Sequence, residues 1–375
     1  MATDKEQNKL NVPPLRFPEF EGEWEKCKLG NITTFSTTRI KSTELDCKNY
    51  ISTENMLQDF QGVVEAKSVP NDTNVISFTS GDILISNIRP YLKKVWKATF
   101  NGGCSSDVFV LQAKGSLDKD FLHYVIANDR FINFVMSGAK GVKMPRGDKN
   151  QMATYQLSLP SIQEQNKIAS LLSLLDKRIA TQSKLIEDLK KLKSAISHIL
   201  FSSKGAIHLS EIANVVMGQS PSSNAYNDQG LGMPLVQGNL DISNGKTTPR
   251  LYTAEFNQTT EKGNIILTVR APVGEVAKAT QKVCLGRGVC AIIPHEENMS
   301  DFIYQYLTFY KFMWRRYEQG STFTSINGSD VRNIFCPKIR NVSILTLLDI
   351  KINIEERVVK QYQSQKQYML YQMFI

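Results

Sequence analysis

Two stretches of this chain, Leu171-Leu-Ser-Leu-Leu-Asp-Lys-Arg-Ile179 and Ile344-Leu-Thr-Leu-Leu-Asp-Ile-Lys-Ile352, are near copies, and each opens a long heptad pattern after a globular segment. From Ile168 the apolar spacing alternates four and three through Leu172, Leu175, Ile179, Gln182, Ile186, Leu189, Lys193, Ile196 and Leu200. The second run gives Leu348, Ile352, Glu355, Val359, Tyr362, Lys366, Met369 and Met373 in the same rhythm. This is the seam of a coiled coil, interrupted by polar residues at equivalent steps. At about 1.5 Å per residue a helix from Ser161 to Ser203 spans roughly 60 Å, too long for one domain to cover, so each rod needs a partner.

The polar interruptions choose the pairing. A parallel, repeat-matched arrangement sets Lys193 against Lys366, two like charges on a partly desolvated seam. An antiparallel one sets Lys193 by Glu355, Gln182 by Lys366, Ile186 by Tyr362 and Leu189 by Val359. We therefore expect an intramolecular antiparallel coiled coil in that register, with a globular domain at each end of the rod. The alternative, that Gln182 and Lys193 only snorkel at a loose seam edge, keeps the antiparallel sense, since the first rod leads away from one domain and the second can lead back.

Working outward, the globular segments repeat as well. Gly81-Asp-Ile-Leu-Ile-Ser-Asn-Ile-Arg89 is echoed by Gly263-Asn-Ile-Ile-Leu-Thr-Val-Arg270, and Asp120-Phe-Leu-His-Tyr124 by Asp301-Phe-Ile-Tyr-Gln305. Each then meets a Gly-bearing loop, Ser137 to Gly147 in one half and Gln319 to Gly328 in the other. Short β-type runs (Val75 to Phe78, Asp82 to Ile85, Val108 to Leu111) separated by turn signals, with one helix expected from Asp118 to Met136, make the first segment α+β. The expected organisation is a polar lead-in over 1–15, a first α+β domain over 16–160, a spacer helix over 161–204, a second domain over 205–337 and a second spacer helix over 338–375. Its period is about half the chain, which excludes a solenoid.

The 375 residues carry a net charge of +9, which favours a polyanionic partner. The segment Met1 to Lys9 lacks the apolar core of a signal peptide and no run approaches the roughly 18 apolar residues of a membrane span, so a cytoplasmic address without membrane contact is expected. Six cysteines (Cys27, Cys47, Cys104, Cys284, Cys290, Cys336) stand scattered and far from the four histidines. They read as reduced, mostly buried thiols, with no metal site. Gly238 to Thr247 fails the P-loop spacing by two residues, and Asn244-Gly245 within it reads as a turn. No Gly-x-Gly-x-x-Gly, Gly-x-Ser-x-Gly, His-Glu-x-x-His or Asn-Pro-Pro-Tyr is present, so neither a catalytic site nor a bound cofactor is expected in this chain.

What remains is a set of cations and polar groups in predicted loops. Arg89, Tyr91, Lys93 and Lys94 follow a strand of the first domain, and Lys140, Lys143, Arg146 and Lys149 lie in the loop after its helix. The second domain offers Arg270, Arg287, Arg315, Arg316, Thr324, Ser325 and Asn327. Arg and Lys suit guanine edges and phosphates, Asn suits adenine, and Ser or Thr serves either. Any one of these taken alone reads more simply as a solvated surface charge. Their repeated placement, above all the aligned Arg89 and Arg270, is what points to a nucleic-acid surface.

Three stretches carry a family resemblance: Leu15-Arg-Phe-Pro-Glu-Phe-Glu-Gly-Glu-Trp-Glu-Lys-Cys-Lys-Leu-Gly30, the Gly81 to Arg89-Pro-Tyr-Leu segment, and Leu159-Pro-Ser-Ile-Gln-Glu-Gln-Asn-Lys-Ile-Ala-Ser-Leu171. Together with the duplication they resemble the specificity subunit of Type I restriction–modification systems. The resemblance implies two target-recognition domains that each read half of a bipartite sequence in double-stranded DNA through the major groove, separated by an antiparallel helical spacer. It also implies two methyltransferase (modification) subunits using S-adenosylmethionine for adenine-N6 methylation. Two restriction subunits driven by ATP with magnesium complete the complex, while the specificity subunit itself does no chemistry. The second rod opens on Cys336-Pro-Lys-Ile-Arg-Asn-Val-Ser-Ile344, about one helical turn shorter than the first, and has no Gln-Glu-Gln element. A different class of function, a coiled-coil scaffold with protein-binding end domains, is the alternative reading.

Overall fold

In the computed structural model the described residues are 11–115, 117–202, 207–316, 325–338 and 341–375, with Arg315 and Arg316 described in the backbone alone. The chain divides into two compact units, Met1–Gln182 with Val358–Ile375, and Ser183–Arg357. Both divisions fall inside the long helices, Ile162–Phe201 and Ser343–Gln372.

The first unit contains two four-stranded sheets. One has the order Thr33–Phe35, Val108–Ala113, Ile83–Ser86, Val95–Lys97, all antiparallel. The strand Ile83–Ser86 is buried along its whole length, as its unbroken apolar text requires. The other sheet has the order Arg39–Lys41, Asn74–Phe78, Gly102–Cys104, Tyr50–Ile51, the last pair parallel. The second unit repeats the scheme around Ile265–Thr268, paired with Val289–Pro294 and Val276–Lys278, and again sets one strand, Met233–Val236, here in the middle of its sheet, parallel to Val283–Leu285. The Asn244-Gly245 turn closes the hairpin Ile242–Ser243 with Lys246–Thr247, both residues at positive φ (+50° and +68°).

The single helix expected from Asp118 to Met136 is two, Lys119–Ile126 and Asp129–Ser137. Asn128 causes the break: its side chain accepts the Arg130 N–H at 2.9 Å and caps the second helix, while its Nδ2 donates to the Leu370 carbonyl. Apolar periodicity ran through this point without seeing the cap.

Within each unit the long helices run antiparallel, but not in the expected register. Lys366 donates to Asp176 Oδ1 at 2.6 Å, and Lys193 to Asp349 Oδ1 at 2.5 Å. The expected facing residues, Gln182 and Glu355, lie six positions further along each partner helix; Glu355 forms an ion pair with Lys351. Tyr362, expected opposite Ile186, accepts instead from Arg178 at 3.2 Å. The pairing is displaced by about one heptad because a long lysine reaches an aspartate beside the seam and has no need of a polar residue within it.

These aspartates are the last residues of the duplicated Leu-Leu-x-Leu-Leu-Asp text, and each is a node. In the first unit Tyr124 donates to Asp176 Oδ2 at 2.9 Å; in the second, the repeat-equivalent Gln305 donates to Asp349 Oδ2 at 2.6 Å. Each carboxylate thus ties its own domain to both rods. A second pair of anchors follows the same symmetry. Phe374 stacks on Phe121 with ring centres 5.3 Å apart, and Phe201 meets Phe302 edge-on at 6.3 Å. All four rings are buried.

Glu164 and Gln165 of the Gln-Glu-Gln element also turn inward. Glu164 is held by both arms of Arg16 at 2.8 and 2.9 Å, and Gln165 accepts from the Asp118 N–H while donating to the Pro160 carbonyl.

Candidate nucleic-acid interface

In both domains three loops converge where the central strand ends. In the first, Asn87 N–H donates to the Asp107 carbonyl at 2.9 Å, Arg89 N–H to the Pro145 carbonyl at 2.7 Å, and Ile88 bridges to Arg146. In the second, Val269 N–H donates to the Gly288 carbonyl at 2.9 Å, Ile326 N–H to the Val269 carbonyl at 3.0 Å, and Arg270 bridges to Ser325. Arg270 therefore stands where Ile88 does and Arg89 one residue further on, so the two arginines share the junction but not the position, each beside the loop that follows the helical layer. Arg89 adopts the left-handed conformation (φ +50°), as does Lys93 (φ +52°) after the short turn Pro90–Leu92. For a residue with a Cβ such a conformation costs about 1–2 kcal/mol, which the surrounding hydrogen bonds must hold.

The remaining cations have different fates. Lys93 pairs with Asp129 at 2.8 Å, and Arg146 with Asp107 at 2.8 Å. Lys94 donates to the Thr53 carbonyl at 2.5 Å; burial, and then the Arg89 charge, push its pKa down. Lys149 lies over the Phe109 and Phe35 rings at 4.8 and 5.5 Å. Tyr91, Lys140 and Lys143 are exposed, with Lys140 at 85% of its side chain and 3.9 Å from Asp148. In the second domain Arg270 and Arg287 are exposed and form no ion pair among the described residues. The Asn327 side chain accepts the Ser329 and Asp330 N–H groups at 2.8 and 3.0 Å, capping Gly328–Arg332, much as Asp148 caps Lys149–Ala153. Ser325 is half-buried at its bridge; Thr324 lies outside the described residues, and so do the side chains of Arg315 and Arg316.

Arg270 and Arg287 line a cavity of about 540 Å³ in the second domain, together with Gln237, Asn239 and Arg250. These last three were not singled out from sequence. Their only local signal is the pair Asp241 and Arg250, nine residues apart, whose side chains meet at 3.0 Å once the strand Met233–Val236 and the turn after it have formed.

The chemistry available is recognition. Burial pushes the thiols of Cys104, Cys290 and Cys336 up to about 12, far from a working nucleophile. Among the described residues no cluster of His, Cys, Asp and Glu could hold a metal ion, and no helix is long and apolar enough to cross a membrane.

A duplicated α+β domain, cationic loops at the end of each central strand, and paired antiparallel helices within each unit define a duplicated two-domain architecture. The family model described as the Type I restriction modification DNA specificity domain matches the chain twice, over residues 21–191 and 205–358. The chain belongs to that family. It is 30% identical over 247 residues to the MjaX type I restriction enzyme specificity subunit of Methanocaldococcus jannaschii, covering 60% of this chain and 58% of that one. It is 26% identical over 228 residues to the MjaVIII specificity subunit of the same organism, covering 58% and 50%. The matched part thus spans little more than half the length of these curated relatives. The solved S subunit of a Type-I restriction-modification system from M. genitalium shares the fold at TM-score 0.64, with 19% identity and coverage of 97% and 99%.

Proposed function

We propose that this chain is the non-catalytic DNA-recognition subunit of a Type I restriction–modification complex, each domain reading one half of a bipartite duplex target. The observation that carries the reading is the repeated junction: in two family-matched domains the same strand end presents an exposed arginine, Arg89 or Arg270, beside the same pair of loops. Phosphate and base contacts from such loops set register and sequence respectively. The partners in this reading are two methyltransferase subunits and two restriction subunits in the cytoplasm, which bring S-adenosylmethionine, ATP and magnesium. Support for protein docking comes from the rod segments of the second unit. Leu185, Leu192 and Ile199 recur there at heptad spacing with 40%, 49% and 78% exposure, and Leu347 and Ile354 are 63% and 46% exposed.

The test is to co-express the full chain with a methyltransferase subunit of the same type and map methylated adenines across a genome. A bipartite motif is expected. Arg89→Ala should weaken or relax one half-site by about 1–3 kcal/mol and Arg270→Ala the other. Equal loss at both halves from either substitution contradicts the assignment.

A further inference from the structure

We infer that Arg250, braced by the buried carboxylate of Asp241, reads a guanine in the half-site of the second domain. The inference rests on the DNA-reading function proposed above and adds to it a residue and a base. Asp241 is 3% exposed, accepts the Gln237 N–H at 2.9 Å and takes Arg250 Nε at 3.0 Å. That single bond at Nε fixes the plane of the guanidinium. It leaves both Nη groups without a partner among the described residues, on a side chain that is 57% exposed and lines the 540 Å³ cavity. A braced, planar fork with its outer edge free matches the adjacent N7 and O6 acceptors of guanine, which a phosphate contact does not require.

The first domain supplies the control. There the turn after the parallel edge strand Tyr50–Ile51 is closed by Asn55, which accepts the Ser52 N–H at 2.6 Å just as Asp241 accepts that of Gln237. The Val64 N–H donates to the Asn55 carbonyl at 2.9 Å as the Thr248 N–H does to that of Asp241 at 2.8 Å, and two residues on, where the second domain has Arg250, stands Ala66, 7% exposed. The Asn55 amide donates to the Tyr50 and Val64 carbonyls at 3.1 and 2.9 Å. A neutral acceptor therefore suffices to close this turn. Burying a carboxylate at the same place carries a desolvation cost that the turn does not need. What the charge adds is a fixed arginine.

The experiment uses the full chain in its methyltransferase complex, selected on duplex pools randomised across both half-sites. The intact complex should require a G·C pair at one position of the second half-site. Arg250→Ala should lose about ten- to a hundredfold of discrimination at that position and leave every other position, including the whole first half-site, unchanged. Arg250→Lys should not restore it, since an ammonium cannot fork. Asp241→Asn, which keeps the turn as Asn55 does, should lose part of it. Uniform weakening of all sequences by Arg250→Ala, with a salt slope smaller by about one, would make the residue a phosphate contact and overturn the inference. An unchanged base preference would overturn it equally. Absence of any base preference in the intact complex would instead sink the DNA-reading function itself.

Discussion

The first domain ties down several cations of its junction, Arg89 excepted, where the second leaves them facing open space. Arg146 answers to Asp107, Lys93 to Asp129 and Lys94 to a backbone carbonyl, whereas Arg270, Arg287 and the outer edge of Arg250 face an open cavity. The frame beneath is the same in both: an apolar central strand, one parallel strand pair, and a capped helix beside the loop. Loops on a rigid frame can exchange chemistry freely, because their side chains are not needed to bury the core. The anchors between domain and rod behave in the opposite way. They repeat residue for residue in position while the partner changes from Tyr124 to Gln305.

That contrast can be broken most severely at the aromatic anchors. Phe121 and Phe302 are fully buried, at 0% and 1% exposure, and each receives the phenylalanine at the end of a long helix. Phe121→Ala and Phe302→Ala should each lower unfolding stability by about 3–5 kcal/mol through lost burial and a residual cavity. If the repeat is as equivalent as its geometry, the two urea midpoints fall by similar amounts. A loss confined to one variant would show that the ends of the rods are held differently.

A smaller effect is expected at the aspartate nodes. Asp349→Ala strips the acceptor from Lys193 and from the buried Gln305 amide, and should cost about 2–4 kcal/mol. Asp176→Ala should cost somewhat less, because Asp176 is the more exposed of the two, at 38% against 30%. Exchanging the partners, with Lys193→Asp and Asp349→Lys together, should recover at least half of the loss in a urea melt. No recovery would place the stabilisation in packing and not in the ion pair.

The sequence made the duplication, the α+β class and the antiparallel sense of the rods legible, because each rests on periodicity or on copied text. It did not make the register legible. Matching polar residues along the seam overlooked Asp176 and Asp349, which stand one position outside it in the very stretch that revealed the repeat. The echo Leu200-Phe201 with Met373-Phe374 was also present, but its meaning depends on which helix each ring meets. At the junction, the text placed Arg89 and Arg270 at the same strand end but matched them to each other, whereas the backbone pairs Arg270 with Ile88, one residue earlier. Arg250 could not, since its value comes from a carboxylate that only the folded turn buries.

The mildest test separates the domains by acid. His123 follows the central helical text of the first domain; its Nδ1 is enclosed without a hydrogen-bond partner among the described residues. Burial lowers its pKa from 6.5 to about 4, with the Lys366 ammonium acting in the same direction and Asp176 opposing. Between those two values the unfolded chain binds the proton more readily than the folded one, so stability rises with pH across the window and is lost as pH falls. Tyr304 occupies the equivalent place in the second domain and carries no proton that changes there. Acidification from pH 7 to pH 4.5 should therefore cost the first domain about 2 kcal/mol through His123. His123→Phe should remove that part of the pH slope in urea unfolding and leave the second domain's response as it was. A slope that persists undiminished in His123→Phe would move the acid sensitivity elsewhere, to the carboxylates that the two domains share.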